Sequence, residues 1–536
     1  MNFLKRSSIL ISIFLIALVL RCYNINFPSI GYHNMKENET LSMAREMLNT
    51  DDFITKRVYF YDAFSDKPVM KKNAQPPLVS YQTILSWKLL GENLWGPRLI
   101  NALFGASSIF FIYLIGRLLF SNTYLALFLA YMLAVMPLAV FFSRNLQPES
   151  PAFFFMLLGN YFYLKFASVL KKRDLFFGGL LFTLAWLYKF TFFIGLLPCL
   201  LCLPFKKLFK KRKSFLKYLA VFLISVLPIL AAISWLRSTG QWQFEIAGRI
   251  APLELFSFDY WGKYGQAIWS YIKDENYTIV FTSLALLGMI LAFFQKEKAL
   301  VKSYIIGWTL TIIPYFMVFS DFINQHNYYQ MPFLILVCVS GVYAVSRISE
   351  MIKRFLKLDV LLFLIIILAA VSARPIYDSL SRMYQTVFLG QDVAGETLME
   401  LTGPKERVFL SSHPQGQAIA RYASRYMGWE DDLAAFKEKE KKFNMKYICF
   451  YPAEYALMLK KRNSAQFEYI QNNYHVKEIG LVEEPYQLKY IILEKGKGSD
   501  PKTFLQSFTG TPRLKAIYKL FGKYIFFYTI QPEDQK

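Results

Sequence analysis

Charged residues are scarce in this chain of 536 residues. Asp, Glu, Lys and Arg together make up 18%, whereas hydrophobic residues make up 55% and aromatic residues 18%. A soluble protein of this length carries more charge and fewer apolar residues. The scarcity excludes an ordinary soluble core for most of the chain and indicates that lipid surrounds much of it.

Cysteine and several enzyme signatures are also scarce or missing. No Walker loop, GxSxG, HExxH or Rossmann glycine fingerprint occurs in the sequence. The five cysteines have no spacing typical of a disulfide framework: Cys22, Cys199, Cys202, Cys338 and Cys449. Cys199 and Cys202 form a CxxC pair, but no second pair completes a zinc set, and we interpret them as small apolar residues of a membrane span.

Acidic residues are outnumbered by basic ones, 38 to 61, which leaves a net charge of +23. Such a charge on a soluble protein would favour nucleic-acid binding. Here the basic clusters lie between hydrophobic runs, as cytoplasmic loops do: residues 171–173, 206–217, 296–302 and 347–357. We therefore expect membrane lipid and no nucleic acid as a partner.

Eleven hydrophobic runs predict membrane-spanning helices. They lie at about residues 7–23, 98–119, 122–142, 150–169, 175–189, 190–205, 218–236, 277–295, 303–319, 331–347 and 358–374. Lys5 and Arg6 place the N-terminus inside, and the first run is expected to remain uncleaved. Every basic cluster then falls inside, and the segments 24–97, 143–149, 237–276 and 320–330 fall outside. Residues 78–90 predict a helix lying along the membrane interface.

The hydrophobic runs stop after residue 375. Residues 1–375 therefore predict a transmembrane domain, and residues 376–536 predict a soluble extracytoplasmic α/β domain. Its strands are expected at residues 407–411, 447–450, 479–482 and 490–493, with helices at 415–426 and 453–469 among them. We expect this domain to fold alone and to recognise the acceptor or cover the active site. The turn His413-Pro414-Gln415-Gly416 is interpreted as an ordinary loop.

Glu37 is the first candidate for acid–base chemistry. In a helix over residues 36–48, Glu37 shares the apolar stripe with Leu41 and Ala44, whereas Glu39 lies on the opposite face. A carboxylate held against an apolar surface can serve as a general base. An ion pair with Arg45 or a loop lysine is the structural alternative.

A second acid, Glu149, lies in the external hairpin 143–149 beside Arg144. Ionisable groups at such a place are functional candidates, although Glu149 could also cap the next helix. Residues 321–330 form a third polar cluster that suits sugar hydroxyls or a phosphate. The candidates for substrate binding are Glu39, Lys71, Lys72, Gln75, Arg98, Arg144, His326, Tyr328 and Tyr329. Snorkelling basic residues and interfacial tyrosines are the alternatives.

Four short motifs resemble a known group of enzymes. In order they are Ala44-Arg45-Glu46-Met47-Leu48, Pro76-Pro77-Leu78, Gly91-Glu92-Asn93 and Arg98-Leu99. They are similar to motifs of the GT-C superfamily, in the protein O-mannosyltransferase and aminoarabinose (lipid A) transferase group of family 39. The similarity is strongest from about residue 27 to 166, and Glu149 takes the place of an acidic residue of the next external hairpin.

The resemblance implies an α-helical polytopic GT-C fold with an inverting mechanism. Two positions depart from the family pattern. The Asp-Glu pair of the family falls on Lys36-Glu37, and the lysine before Pro-Pro is Gln75. Either Glu37 has taken the role of base and Lys71 or Lys72 the phosphate contact, or the donor chemistry differs.

The sequence therefore predicts a glycosyltransferase of the inner or plasma membrane. A sugar on a polyprenyl phosphate is the expected donor, and a hydroxyl of a protein, lipid or polysaccharide is the expected acceptor. No cofactor is expected, because two separated acids and one histidine do not favour a divalent metal. A transporter or lipid flippase, or a glycan-chain ligase of the same fold, are the alternatives.

Overall fold

The computed structural model describes residues 3–60, 64–65, 70–209, 212–243, 254–294, 300–412, 416–453, 464–483, 487–497 and 510–531. The chain divides into two compact units. Met1–Asn26 and Lys72–Met383 form the first, here called the membrane unit. Phe27–Lys71 and Tyr384–Lys536 form the second, here called the loop–sheet unit. The domain boundary at residue 375 stays a prediction, and residues 27–71 of the first long loop share a unit with the C-terminal region.

The membrane unit is helical. Its described α-helices are Phe3–Arg21, Leu78–Leu90, Trp95–Leu119, Thr123–Val135, Pro137–Arg144, Glu149–Val169, Lys172–Tyr188, Leu196–Leu201, Phe205–Phe209, Arg212–Ser238, Phe258–Ser270, Thr278–Phe294, Leu300–Ile323, Leu334–Leu356 and Leu361–Gln385. Shorter 3-10 or π segments are Phe190–Gly195, Glu254–Phe256, Tyr271–Asn276 and Asn327–Phe333.

Helical structure coincides with each of the eleven predicted spans. Among the described residues, six helices are long and apolar enough to cross a membrane, or up to eight if each of two bent pairs is one span. The protein is therefore an integral multi-pass membrane protein, as predicted. The count of eleven spans stays a prediction, because Phe190–Leu201, for example, is apolar but short.

One bent pair shows how the membrane unit satisfies its backbone. Thr123–Val135 and Pro137–Arg144 meet at 53°. Pro137 has no N–H to donate to the carbonyl of Leu133, four residues earlier. The buried guanidinium of Arg21 donates to that carbonyl at 3.2 Å and to the carbonyl of Ala134 at 2.9 Å. Arg21 therefore stabilises a helix break that would leave carbonyls unsatisfied in an apolar surrounding.

The loop–sheet unit is built on a seven-stranded sheet. Its strands are β1 Val408–Ser412, β2 Met427–Gly428, β3 Tyr447–Tyr451, β4 Tyr474–Val482, β5 Gln487–Lys495, β6 Arg513–Leu520 and β7 Lys523–Ile530, in the order β2-β1-β3-β5-β4-β7-β6. β1 pairs in parallel with β2 and β3, and the remaining pairs are antiparallel. The described helices are Asn34–Thr50, Gln391–Leu401, Gln417–Ala423, Leu433–Lys442 and Ser464–Asn473.

The prediction of a helical membrane protein with a C-terminal α/β domain is confirmed. The four predicted strands coincide with β1, β3, β4 and β5, whereas β2, β6 and β7 were not predicted. Residues 413–415 of the predicted turn and residues 454–463 of the predicted helix lie outside the described residues.

Residues of the first long loop complete the core of the loop–sheet unit. Ile30 and Tyr59 are buried in the same apolar cluster as Leu410 of β1 and Ile492 of β5. The backbone ties the segments together, because Phe388 N–H donates to Ile30 at 2.8 Å. An isolated β-bridge also joins Gly31 to Val387.

Candidate active site

An ion pair buried in the membrane unit lies at one end of a helical hairpin. Glu149 is the first residue of Glu149–Val169, and Lys189 follows the last residue of Lys172–Tyr188. The two helices are joined by a short turn and pack against each other, so the start of one lies beside the end of the other. Lys189 Nζ pairs with Glu149 Oε1, and their side chains are only 7% and 1% exposed.

Two tyrosine rings surround the cation of this pair. Lys189 Nζ lies 4.6 Å from the ring centroid of Tyr328 and 4.5 Å from that of Tyr329. The His326 ring stacks on Tyr328 with 5.1 Å between centroids. Cation–π attraction is strongest where water is excluded, so the rings hold the ammonium group in place. The structure thus brings four predicted site residues together around one lysine.

The other carboxylate oxygen of Glu149 is of chemical interest. Oε2 is buried and has no hydrogen-bond partner within the described part of the chain. Buried acceptors in folded proteins nearly always have a donor, and an exception calls for an explanation. A hydroxyl donor on a bound substrate would supply one. Glu149 also lies in the first turn of its helix, where a negative charge is favourable, and this position is compatible with the predicted functional role.

Arg98 and Arg144 are buried in the membrane unit and contact the segment after the first helix. Arg98 donates to the carbonyl of Ile25 at 2.8 Å, and Arg144 donates to that of Asn24 at 3.3 Å. Arg144 also lies 5.6 Å from the ring centroid of Phe141. These contacts give both arginines a structural role, and their predicted contact with a phosphate stays a prediction.

The segment before Pro76 contributes two further candidates to the membrane unit. Gln75 is half-buried, and its N–H donates to Asn73 Oδ1 at 3.1 Å. Asn73 N–H in turn donates to the carbonyl of Gln241 at 3.0 Å. Lys72 is exposed. The segment is therefore held by its backbone, while Lys72 remains accessible to solvent.

Glu37 lies in the loop–sheet unit, on the helix Asn34–Thr50. The sequence predicts this helix over residues 36–48, which is correct to within two residues at each end. The carboxylate is 4% exposed, and Ser29 Oγ donates to Glu37 Oε2 at 2.7 Å. Ser29 is itself fixed, because its N–H donates to Tyr422 Oη at 2.9 Å and Asn38 Nδ2 donates to its carbonyl at 2.6 Å.

Glu39 corrects one expectation from helical periodicity. The periodicity predicts that Glu39 turns away from the apolar surface, but Glu39 is only 7% exposed. Its carboxylate pairs with Lys71, and Lys36 Nζ lies 3.3 Å from Glu39 Oε2. The expectation assumed one buried face, whereas this helix is buried on more than one side. Its buried residues are Asn34, Glu37, Asn38, Glu39, Leu41, Ser42, Met43, Ala44, Glu46 and Met47.

Sequence patterns missed three residues of these clusters. Lys189 is a lone charge between two predicted spans, 175–189 and 190–205, and such a charge is a signal of function. Ser29 and Tyr422 gave no signal, since a neutral hydroxyl has no distinctive pattern and their contact joins positions 393 residues apart. Within the described residues, no group of three or more His, Cys, Asp or Glu is arranged to hold a metal ion.

Comparisons with known proteins agree with this fold. Residues 74–235 match a family described as dolichyl-phosphate-mannose-protein mannosyltransferase. No curated protein sequence matches the chain. The matched segment includes both Glu149 and Lys189.

Two solved structures share the fold over most of the chain. One is the oligosaccharyltransferase AglB from Archaeoglobus fulgidus, in complex with an inhibitory peptide and a dolichol-phosphate, with 12% identity, a TM-score of 0.56, and coverage of 91% of this chain and 74% of that one. The other is ArnT from Cupriavidus metallidurans bound to undecaprenyl phosphate, with 14% identity, a TM-score of 0.56, and coverage of 92% and 99%. The chain therefore has a GT-C fold. The predicted resemblance to the mannosyltransferase and aminoarabinose-transferase group is confirmed.

Proposed function

We propose that this protein is a glycosyltransferase that moves a sugar from a polyprenyl phosphate to an acceptor hydroxyl at the outer face of the membrane, with inversion at the anomeric carbon. The observation that best supports the proposal is the location of the buried Glu149–Lys189 ion pair in the chain. It lies inside the segment 74–235 that matches a mannosyltransferase family. A buried ion pair contributes little to stability compared with an apolar pair of the same size, so its presence favours a function.

The proposed donor class is supported by the two solved structures that share the fold. AglB was solved with a dolichol-phosphate and ArnT with undecaprenyl phosphate, both of which are polyprenyl phosphates. A donor with a long isoprenoid tail also explains why the chemistry belongs to a multi-pass membrane protein. The proposed orientation, with the C-terminal region outside, is supported by the basic clusters between the hydrophobic runs.

Glu37 is the proposed general base. Its carboxylate takes the proton of the acceptor hydroxyl while the hydroxyl oxygen attacks the anomeric carbon and the bond from that carbon to the phosphate oxygen breaks. The polyprenyl phosphate leaves with the electron pair of that bond. Attack from the face opposite the leaving group inverts the anomeric carbon.

The cationic candidates are proposed to stabilise the leaving phosphate. Arg98, Arg144, Lys71 and Lys72 are the groups that the sequence predicts for this role. Glu149 is proposed to orient a substrate hydroxyl through Oε2, the oxygen that has no donor among the described residues.

The test uses purified full-length protein in lipid nanodiscs. It is incubated with radiolabelled sugars on polyprenyl phosphates of several lengths, with and without acceptor. We expect either transfer to the acceptor or slow hydrolysis of the donor. NMR of the released sugar should show the inverted anomeric configuration. If no donor gives either product, the proposal is wrong. If the labelled lipid instead moves between the two leaflets of proteoliposomes without cleavage of its sugar–phosphate bond, the protein is a flippase.

A further inference from the structure

The C-terminal domain contacts the segment that carries Glu37 through Ser29, within the loop–sheet unit. Ser29 is completely buried. Its hydroxyl donates to Glu37 Oε2 at 2.7 Å, and its N–H donates to Tyr422 Oη at 2.9 Å. One residue thus joins the carboxylate to a tyrosine that lies 385 positions further along the chain.

The backbone around Ser29 is fixed on both sides of this contact. Asn38 Nδ2 donates to the Ser29 carbonyl at 2.6 Å, and Phe388 N–H donates to the carbonyl of Ile30 at 2.8 Å. Asn34, one helical turn before Glu37, donates through Nδ2 to Gln391 Oε1 at 2.8 Å. Because these anchors are short and buried, the Ser29 hydroxyl has little freedom to leave the carboxylate.

We propose that Ser29 and Tyr422 are positioning residues, through which the C-terminal domain holds the Glu37 carboxylate in its reactive orientation. This rests on the proposed function, in which Glu37 is the base. Neither residue contacts a substrate in this role. Tyr422 fixes the backbone of Ser29, and Ser29 fixes the plane of the carboxylate through one oxygen.

This role goes beyond recognition of the acceptor by the C-terminal domain. A recognition role changes the KM for the acceptor, whereas a positioning role changes kcat. A displacement of about 1 Å of a catalytic group can lower a rate on the order of a hundredfold. The hydroxyl of Ser29 is therefore expected to matter for the rate although it does not react.

Two matched contacts in the same unit provide controls. Tyr426 Oη donates to Glu46 Oε2 at 2.6 Å, so it also joins the C-terminal domain to a carboxylate of the Glu37 helix. Ser42 is buried on that helix and donates to the carbonyl of Asn38 at 2.7 Å. Neither contact involves Glu37.

The experiment measures kcat and KM of full-length Ser29→Ala, Ser29→Thr and Tyr422→Phe, with Ser42→Ala and Tyr426→Phe as controls. We expect kcat of Ser29→Ala to fall on the order of tenfold to a hundredfold with KM unchanged, because the carboxylate loses its orientation. Tyr422→Phe should lower kcat by a smaller factor, and Ser29→Thr, which keeps the hydroxyl, should recover much of the rate. The controls should retain wild-type kcat.

Thermal unfolding of each variant separates positioning from folding. Retained kcat in both Ser29→Ala and Tyr422→Phe would overturn the proposal while wild-type transfer still supports the glycosyltransferase function. A fall in kcat that occurs equally in Tyr426→Phe, or that follows the loss of thermal stability across all five variants, would also overturn it. If Ser29→Thr does not fold, the kcat of Tyr422→Phe compared with that of Tyr426→Phe decides whether the contact with Ser29 positions Glu37. An inactive wild type would contradict the proposed function itself.

Discussion

The two candidate acids, one in each unit of the molecule, have different partners. In the membrane unit, Glu149 pairs with a cation that lies over two aromatic rings. In the loop–sheet unit, neutral hydroxyls donate to four buried carboxylates at 2.6–2.7 Å: Ser29 to Glu37, Tyr426 to Glu46, Tyr490 to Glu478 and Tyr518 to Asp392. Two other buried carboxylates of this unit, Glu39 and Glu440, pair with lysines.

The lysine partner of Glu149 suits its apolar surroundings. An unpaired charge in an apolar surrounding has a desolvation cost of several kcal/mol, which a nearby opposite charge offsets. Hydroxyl donors orient a carboxylate without adding a charge. A cation beside a carboxylate also competes with the proton that a base must take up. Glu149 thus has a lysine partner and Glu37 a serine hydroxyl donor, and the substitutions below test whether the two acids have different roles.

The largest expected effect is the loss of transfer in Glu37→Gln. The amide keeps the size and hydrogen bonding of the side chain but cannot take a proton, so kcat should fall by about a hundredfold to ten-thousandfold. Donor binding, measured with radiolabelled polyprenyl phosphate, should remain near that of the wild type.

Glu46→Gln is the control for this substitution. Glu46 lies on the same helix and also accepts a hydrogen bond from a neutral hydroxyl. Its replacement should leave kcat close to the wild-type value. Equal activity in Glu37→Gln and Glu46→Gln would contradict the assignment of Glu37 as base.

The next effect concerns the charge pair of the membrane unit. Lys189→Met leaves Glu149 as a buried carboxylate without its cation, which should lower the free energy of unfolding by about 3–5 kcal/mol. Glu149→Gln should be destabilising as well, and its kcat should fall between those of Glu37→Gln and Glu39→Gln.

The double variant Glu149→Gln/Lys189→Met tests the pairing. Because it removes both charges, its loss of stability should be smaller than the sum of the single losses, as measured by thermal unfolding in detergent. Additive losses would show that the two side chains do not interact.

The sequence predicts the two candidate acids and most of the helices, but not the side chains that contact these acids. Glu37 and Glu149 stand out as acids in or beside apolar segments, and the helices follow from hydrophobic runs. Lys189 was visible as a lone charge but was not matched with Glu149, because the pairing depends on how two helices pack. Strands β6 and β7 flank Gly522, but β7 is a nearly continuous apolar run without alternation, and such a run does not by itself distinguish a strand from a helix. Ser29 and Tyr422 could not be predicted, since a contact across 393 positions arises only from tertiary structure.

A smaller effect is expected at Lys56, a completely buried lysine of the loop–sheet unit. Burial lowers the pKa of Lys56 to about 7, because desolvation disfavours the ammonium form. The pKa of lysine in the unfolded chain is about 10.4. Between these values the unfolded chain binds the proton and the folded chain does not, so the free energy of unfolding should rise with pH.

Lys56→Met should therefore stabilise the protein most at pH 7 and below, and the advantage over the wild type should shrink toward pH 10. Apparent melting temperatures at pH 7, 8.5 and 10 measure this difference. Lys441→Met, at an exposed position of the same unit, should show little difference at any of these pH values. A constant advantage of Lys56→Met across the range would contradict a proton-linked penalty.

The smallest effect on the rate is expected for Glu39→Gln, two positions from the proposed base. Glu39 pairs with Lys71 and Lys36, so lysines match its negative charge. The substitution leaves these lysines without a carboxylate and should lower the free energy of unfolding by about 1–3 kcal/mol. Because Glu39 has no part in the proposed proton transfer, kcat should change little once the folded fraction is taken into account. Transfer kinetics and thermal unfolding of Glu37→Gln and Glu39→Gln, measured side by side, test whether the hydroxyl-bonded acid and the lysine-paired acid have different roles. If Glu39→Gln is inactive and Glu37→Gln active, the lysine-paired carboxylate is the base and the contrast drawn between the two kinds of partner is wrong.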